Sequence, residues 1–243
     1  MCPDTRQAKA PTYRHSGDGG LLVELGDRID WALNTCTRNL ARRLEEQNLP
    51  GVMEIVPAYS SFLVLFESAT LDLERLQSEI DALARDTGEP GQEASEATAR
   101  SVEIPVCYGG AFGPDLESVA EHSGLTPEDV VAIHSGGTYP VYMLGFAPGF
   151  PYLGGMDERI ATPRLETPRA HVPAGSVGIA GAQTGIYPLA SPGGWRIIGR
   201  TPLTLFDARA ENPVPYYRPG DRLRFIAVSE KEFNQLLKDQ GHE

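Results

Sequence analysis

The chain concentrates its helix-breaking residues in one place. Between Gly136 and Gly220 lie 14 of its 26 glycines and 12 of its 20 prolines. Proline removes a backbone donor and clashes with the preceding helical turn, and glycine weakens helical order, so long helices cannot form in that stretch. Short apolar runs lie between its turn signals: Val141 to Met143, Val177 to Ile179, Trp195 to Ile198, Leu203 to Phe206 and, just beyond it, Leu223 to Ala227. Brief strands separated by turn residues predict a β-barrel or sandwich.

Upstream, helical and strand-like patterns alternate. Leu21 to Leu25 reads as a strand, and Asp30 to Gln47 carries Leu33, Cys36, Leu40 and Leu44 at helical spacing. Val52 to Val56 and Phe62 to Phe66 read as strands joined by a turn, and Leu73, Leu76, Ile80 and Leu83 mark a second helical face. This order predicts a small α+β sandwich, one sheet covered on one side by two helices. Asp86 to Ala99 is acidic, has no large apolar side chain and holds a Gly-x-Pro-Gly break, so no core can form there. The organisation expected is an α+β domain over 12–85, an acidic linker over 86–100, a β-barrel domain over 101–228 and a helical tail over 229–243. At the start of the second segment Val102 to Val106 is an alternating strand and Asp115 to His122 a helix ending at Gly124. The next helix is framed by Thr126 as N-cap, Pro127 as first residue, Asp129 as the third-position acid and Gly136 after its last turn.

Charge narrows the partners. A formal net charge of -12 repels phosphate backbones and anionic lipid surfaces, and no local basic patch offsets it, so neither nucleic acid nor membrane is expected. Lysine occurs only at Lys9, Lys231 and Lys238. A Walker-type phosphate loop, a Schiff-base lysine and a biotin attachment lysine are therefore absent from the body of the chain, and any anion must be met by arginine or backbone amides. Cys2, Cys36 and Cys107 are far apart in sequence and are expected to be reduced thiols, with neither a disulfide frame nor a metal site. The polar start, Met1 to Pro11, lacks an apolar signal core, and Phe62 to Phe66 is too short to cross a bilayer; a cytoplasmic protein is expected.

No H-E-x-x-H, G-x-S-x-G, G-x-G-x-x-G or calcium loop occurs. What remains is a dense run of loops: Gly145 to Gly155, Thr167 to Gly175, Gly178 to Pro188, Ser191 to Trp195 and Gly199 to Thr201. Phe146, Phe150, Tyr152, Tyr187 and Trp195 can wall a pocket, and Arg169, Arg196 and Arg200 can bind a carboxylate or phosphate. The same residues equally suit structural turns, with the aromatics closing the ends of a barrel.

The runs G-F-x-P-G-F-P-Y-L-G-G, T-P-R, V-P-A-G-S-V-G-I-A-G-x-Q-T-G-I-Y-P, S-P-G-G-W and I-G-R-T-P resemble the signatures of one family. It is that of the KipI sporulation-kinase inhibitor, also called allophanate hydrolase subunit 1, which includes the B subunit of the bacterial 5-oxoprolinase. The first segment resembles the family's N-terminal domain more loosely, and the likeness covers about residues 12 to 228. It implies a small α+β domain followed by a cyclophilin-like β-barrel domain. It also implies two partners, a KipA-like C subunit and the enzyme's A subunit, the three acting together as the ATP-dependent enzyme that opens 5-oxo-L-proline to L-glutamate. A lactam resists water, and ATP serves in such an enzyme to turn its carbonyl oxygen into a leaving group, with pre-placed cations or amides stabilising the charge. ATP and Mg are thus expected through the complex, fixed mostly by other subunits, with half of the pocket lined by this chain. The alternatives are an inhibitor of a sensor histidine kinase and a carboxyltransferase component of a urea carboxylase or allophanate hydrolase system with a separate biotin carrier.

His171, Arg200 and His134 are the catalytic candidates; Arg169, Gln183, Thr184, Tyr187, Trp195, Phe150 and Tyr152 are the substrate-binding candidates, and no metal ligands are expected. Each has a plainer alternative. His134 at a helix end is either a cap or an acid/base, and His171 either an acid/base or an ordinary loop residue. Arg200 binds an anion or a structural partner, and Gln183 and Thr184 meet a substrate amide or their own turn. Tyr187 and Trp195 stack on a ligand or pack a barrel end. An exposed apolar patch on the barrel rim is expected where a partner docks.

Overall fold

The computed structural model describes residues 10–86 and 99–240. Most of the expected acidic linker, residues 87–98, lies outside the described residues. The chain divides into two compact units that meet in sequence at Ala99 and Arg100.

In the first unit, β1 (Thr12–His15), β2 (Gly20–Glu24), β3 (Val52–Pro57) and β4 (Ser61–Phe66) form an antiparallel sheet in the order β1-β2-β4-β3. Leu21 and Val23 of β2 and Phe62, Val64 and Phe66 of β4 alternate onto one face. There they meet Leu40, Ala41 and Leu44 of α1 (Trp31–Glu46) and Leu76 and Ile80 of α2 (Leu73–Arg85). The Asp30 and Asp72 side chains start these helices by accepting from the Leu33 and Arg75 backbone amides. Buried Asn34 donates from its amide to the carbonyls of Ala58 and Tyr59, both at 3.0 Å, which ties α1 to the β3–β4 turn. Strand β1 gives no periodic signal because it is a mostly exposed edge.

The second unit holds the strands β5 (Ser101–Tyr108), β6 (Tyr139–Leu144), β7 (Pro151–Leu153), β9 (Ser176–Ala180), β10 (Gln183–Ile186), β12 (Arg196–Arg200) and β13 (Arg222–Ala227). They form one sheet in the order β10-β9-β12-β5-β13-β6-β7, whose two end strands, β10 and β7, lie against each other and nearly close it into a barrel. A separate two-stranded ribbon joins β8 (Arg169–Val172) to β11 (Ser191–Gly193). β5 and β13 pair in parallel, Ser101 opposite Arg222 through Val106 opposite Ala227. Helices α3 (Leu116–Ser123), α4 (Pro127–Gly136) and α5 (Glu230–Asp239) complete the unit. Reciprocal capping by Thr126 with Asp129, and by Ser229 with Glu232, starts α4 and α5.

Three expectations change. Leu203 to Phe206 is no strand: Pro202 withholds a donor, and Leu205 enters the core from a loop that its carbonyl ties to the Tyr216 amide. Gly136 falls inside α4 rather than after it. Cys107 is free and buried, but Cys36 is disulfide-bonded, because distance in sequence sets no limit on distance in the fold.

Strand β9 is buried at every residue. Val177, Ile179 and Ile198 face the main core with Ile104, Val106, Leu223 and Phe225. Ala180 and Ile197 belong instead to a second cluster, on the other side of the sheet, and that cluster holds most of the candidate aromatics.

Candidate functional site

Phe150 is the hub of the second cluster. Its ring, 2% exposed, meets those of Phe146, Tyr152, Tyr187 and Trp195 edge to face, with centroids 5.4 to 5.6 Å apart. Such edge contacts set the positive rim of one ring on the negative face of the next. Two glycines leave the room: a Cβ on Gly185 would stand 3.0 Å from Trp195 Cζ3 and 3.1 Å from Phe150 Cζ, and one on Gly193 would overlap the Tyr187 ring and hydroxyl. Four of the residues named for binding substrate (Phe150, Tyr152, Tyr187 and Trp195) are therefore brought together, three of them as a buried floor.

Phe146 stands above that floor. It is 68% exposed and sits at φ 64°, a conformation that side chains other than glycine rarely adopt. The Ala147 amide donates to the Gly145 carbonyl at 2.7 Å, making Phe146 the centre of a tight three-residue turn. The Phe150 amide donates to Ala147 and the Gly145 amide to Phe150, which locks the loop. Beside it runs a shallow groove lined by Leu144, Phe146, Pro148, Phe206 and Pro215, among others. Val214 and Tyr216, next to Pro215, are also exposed.

The arginines are mostly occupied. Arg169 Nη2 pairs at 2.7 Å with Asp115, whose other carboxylate oxygen accepts from the Ile197 amide at 2.6 Å. Arg196 donates to the Pro163 carbonyl and to Ser118 Oγ, each at 3.0 Å. Arg200 Nε donates to the Ala174 carbonyl at 2.9 Å. Arg164 is exposed, its guanidinium carbon 5.9 Å from the centre of the Trp195 ring. Asp115 escapes sequence reading because it looks like a helix cap, yet its side chain makes no cap bond. Arg164 had one signal, the repetition of T-P-R at Thr162–Arg164 and Thr167–Arg169.

His134 and Thr184 lie elsewhere, in a closed relay through the core. Thr184 Oγ1 donates to the Gly178 carbonyl at 3.0 Å and so accepts from His134 Nε2 at 2.9 Å. His134 Nδ1 then accepts from the Tyr108 hydroxyl at 2.7 Å. The imidazole is fully buried and stacked 4.5 Å from Phe225. Burial disfavours its charged form and lowers its pKa from 6.5 to about 3, so it stays neutral; the Tyr108 phenol is pushed up for the same reason. His171 is exposed on β8, one residue before Val172, which packs in the same cluster as the floor. Gln183 is half-buried at the start of β10, opposite Ala180. Among the described residues no group of three His, Cys, Asp or Glu side chains could hold a metal ion, and no helix is long and apolar enough to cross a membrane.

The family described as carboxyltransferase domain, subdomain C and D, matches residues 11–216. The chain is 47% identical to the 5-oxoprolinase B subunit of Bacillus subtilis (strain 168) over 231 residues, 93% of this chain and 96% of that one. It is 45% identical to the 5-oxoprolinase B subunit of Escherichia coli O157:H7, covering 88% of this chain and 94% of the relative. The crystal structure of TTHA0988 superposes with a TM-score of 0.75 at 38% identity, over 86% of this chain and 40% of that one.

Proposed function

The chain belongs to the family of carboxyltransferase domains, subdomains C and D, and from that footing we propose that it is the B subunit of an ATP-dependent 5-oxoprolinase, which hydrolyses 5-oxo-L-proline to L-glutamate. The observation that carries the reading is identity of 45 to 47% along nearly the whole length of two relatives that bear that name. The compact units are read as an α+β domain and a cyclophilin-like barrel domain, and the protein as cytoplasmic.

The aromatic floor and its arginine rim form this protein's share of the pocket. The floor supplies a dry wall that excludes water from one side of a small lactam. His171, exposed at the rim, is the proton-transfer candidate, and Arg200 and Gln183 hold polar groups at the ends of β12 and β10. His134 and Thr184 support the frame from inside the sheet. The residues present do not fit Mg–ATP by themselves: there is no central lysine, no phosphate loop and, among the described residues, no cluster of metal-binding side chains. Nucleotide and metal are therefore assigned to the complex, and chiefly to its other members. The groove beside Phe146, with Val214 and Tyr216, is the surface we assign to the KipA-like C subunit; the A subunit is the third component.

ATP-dependent glutamate release from 5-oxoproline tests the reading, measured with the chain alone, with the C subunit, and with the A and C subunits together. Release only from the full mixture is expected. Silence from a mixture whose complex is shown to form would end the lactam reading and leave kinase inhibition or carboxyl transfer.

A further inference from the structure

Arg169 lies on β8, Arg196 and Arg200 on β12, and Arg164 in the segment before β8; the first three are committed. Arg169 is neutralised by Asp115, Arg196 is bonded to Pro163 and Ser118, and Arg200 to Ala174. Arg164 is different: among the described residues its guanidinium makes no hydrogen bond or ion pair, only its approach to the Trp195 ring. The backbone on either side of it, by contrast, is pinned. Thr162 exchanges two backbone hydrogen bonds with Gly181, the Pro163 carbonyl accepts from Arg196, and the Leu165 amide donates to the Gly194 carbonyl at 2.8 Å. It is a planar five-donor fork on a fixed stretch of backbone, beside an aromatic face, with its donors open to an acid group. Burial raises the pKa of the Tyr187 phenol; the Trp195 backbone and then the charges of Arg164 and Arg169 pull the other way. The uncommitted cation thus reaches the floor's edge electrostatically as well as through Trp195.

We propose that Arg164 binds the carboxylate of a small cyclic amide substrate, orienting it over the aromatic floor through paired N–H···O bonds. The inference rests on the lactam reading above and adds the residue that recognises the acid group. A carboxylate matches the guanidinium fork two oxygens to two donors. Such an interaction is made equally in the ground and transition states, so its loss falls on KM rather than kcat.

The test is the reconstituted complex with Arg164→Gln and Arg164→Lys. Arg164→Gln is expected to raise the KM for 5-oxoproline roughly 10- to 100-fold, the range of a lost charge-assisted hydrogen bond, with the KM for ATP unchanged. Arg164→Lys, which keeps the charge but not the fork, is expected to fall between the two. 2-Pyrrolidone, the same lactam without its carboxylate, separates recognition from structure: the wild-type preference for 5-oxoproline over it should collapse in Arg164→Gln. An unchanged preference, an unchanged KM, or a rise confined to ATP would overturn the proposal. If the wild-type complex turns over no lactam, the functional reading fails by itself, and calorimetric titration of the complex with 5-oxoproline decides the arginine. Affinity present in the wild type and lost in Arg164→Gln supports the site; no wild-type affinity overturns it.

Discussion

Phe146 is held at a backbone angle that glycine would adopt freely, and its ring faces solvent, so neither local conformation nor burial accounts for a phenylalanine there. Left-handed backbone costs an L-residue about 1 to 2 kcal/mol, and strain of this kind collects where a side chain has to be presented. Phe146→Ala keeps the strained backbone and removes the ring; Phe146→Gly removes both. The glycine variant is therefore expected to be the more stable of the two by about 1 kcal/mol in denaturant unfolding, while both lose activity in the complex. An alanine variant as stable as the glycine one would show that the turn carries no strain. The sequence could mark Phe146 and Phe150 only as two aromatics of one motif. Which is floor and which is exposed depends on the Gly145–Phe150 hydrogen bonds, and these become visible only once the loop is folded. Arg164 was hidden for a related reason: an arginine's value to a site depends on what its neighbours already hold.

At the level of elements, capped helices were the most legible features, because a cap and its third-position acid are local chemistry: Thr126 with Asp129 starts α4 where the residues say it should. The strands β8, β10 and β11 were not, since three or four residues are too few to show alternation and β9 and β10 are buried on both faces. These unsignalled strands and their glycines are what seat the aromatic floor. Gly185→Ala brings a methyl to 3.0 Å from Trp195 and 3.1 Å from Phe150. Overpacking of this kind is expected to cost about 1 to 3 kcal/mol and to disturb the tryptophan environment, read as a shift in Trp fluorescence with a lower Tm. A variant with wild-type Tm and emission would mean that the rings move aside at no cost.

The buried relay from Tyr108 through His134 and Thr184 to Gly178 spans β5, α4, β10 and β9, so its protonation state bears on the whole second unit. His134 takes up a proton near pH 6.5 when unfolded but only near pH 3 when folded. Between those values the unfolded chain binds more protons, so the contribution of the neutral imidazole is complete above pH 6.5 and drains away as pH falls toward 3. The slope from this one group is at most about 1.4 kcal/mol per pH unit. His134→Gln is expected to be less stable than wild type at pH 8 and to lose less stability between pH 6.5 and 4; parallel profiles would refute the assignment. The parallel pairing of β5 with β13 has a consequence in time. Residues 101–106 leave the ribosome long before residues 222–227, the strand that covers one of their edges. At typical rates of synthesis that edge waits on the order of ten seconds, open to any other strand in reach. A chain stopped short of β13 is therefore expected to aggregate more readily than the finished one.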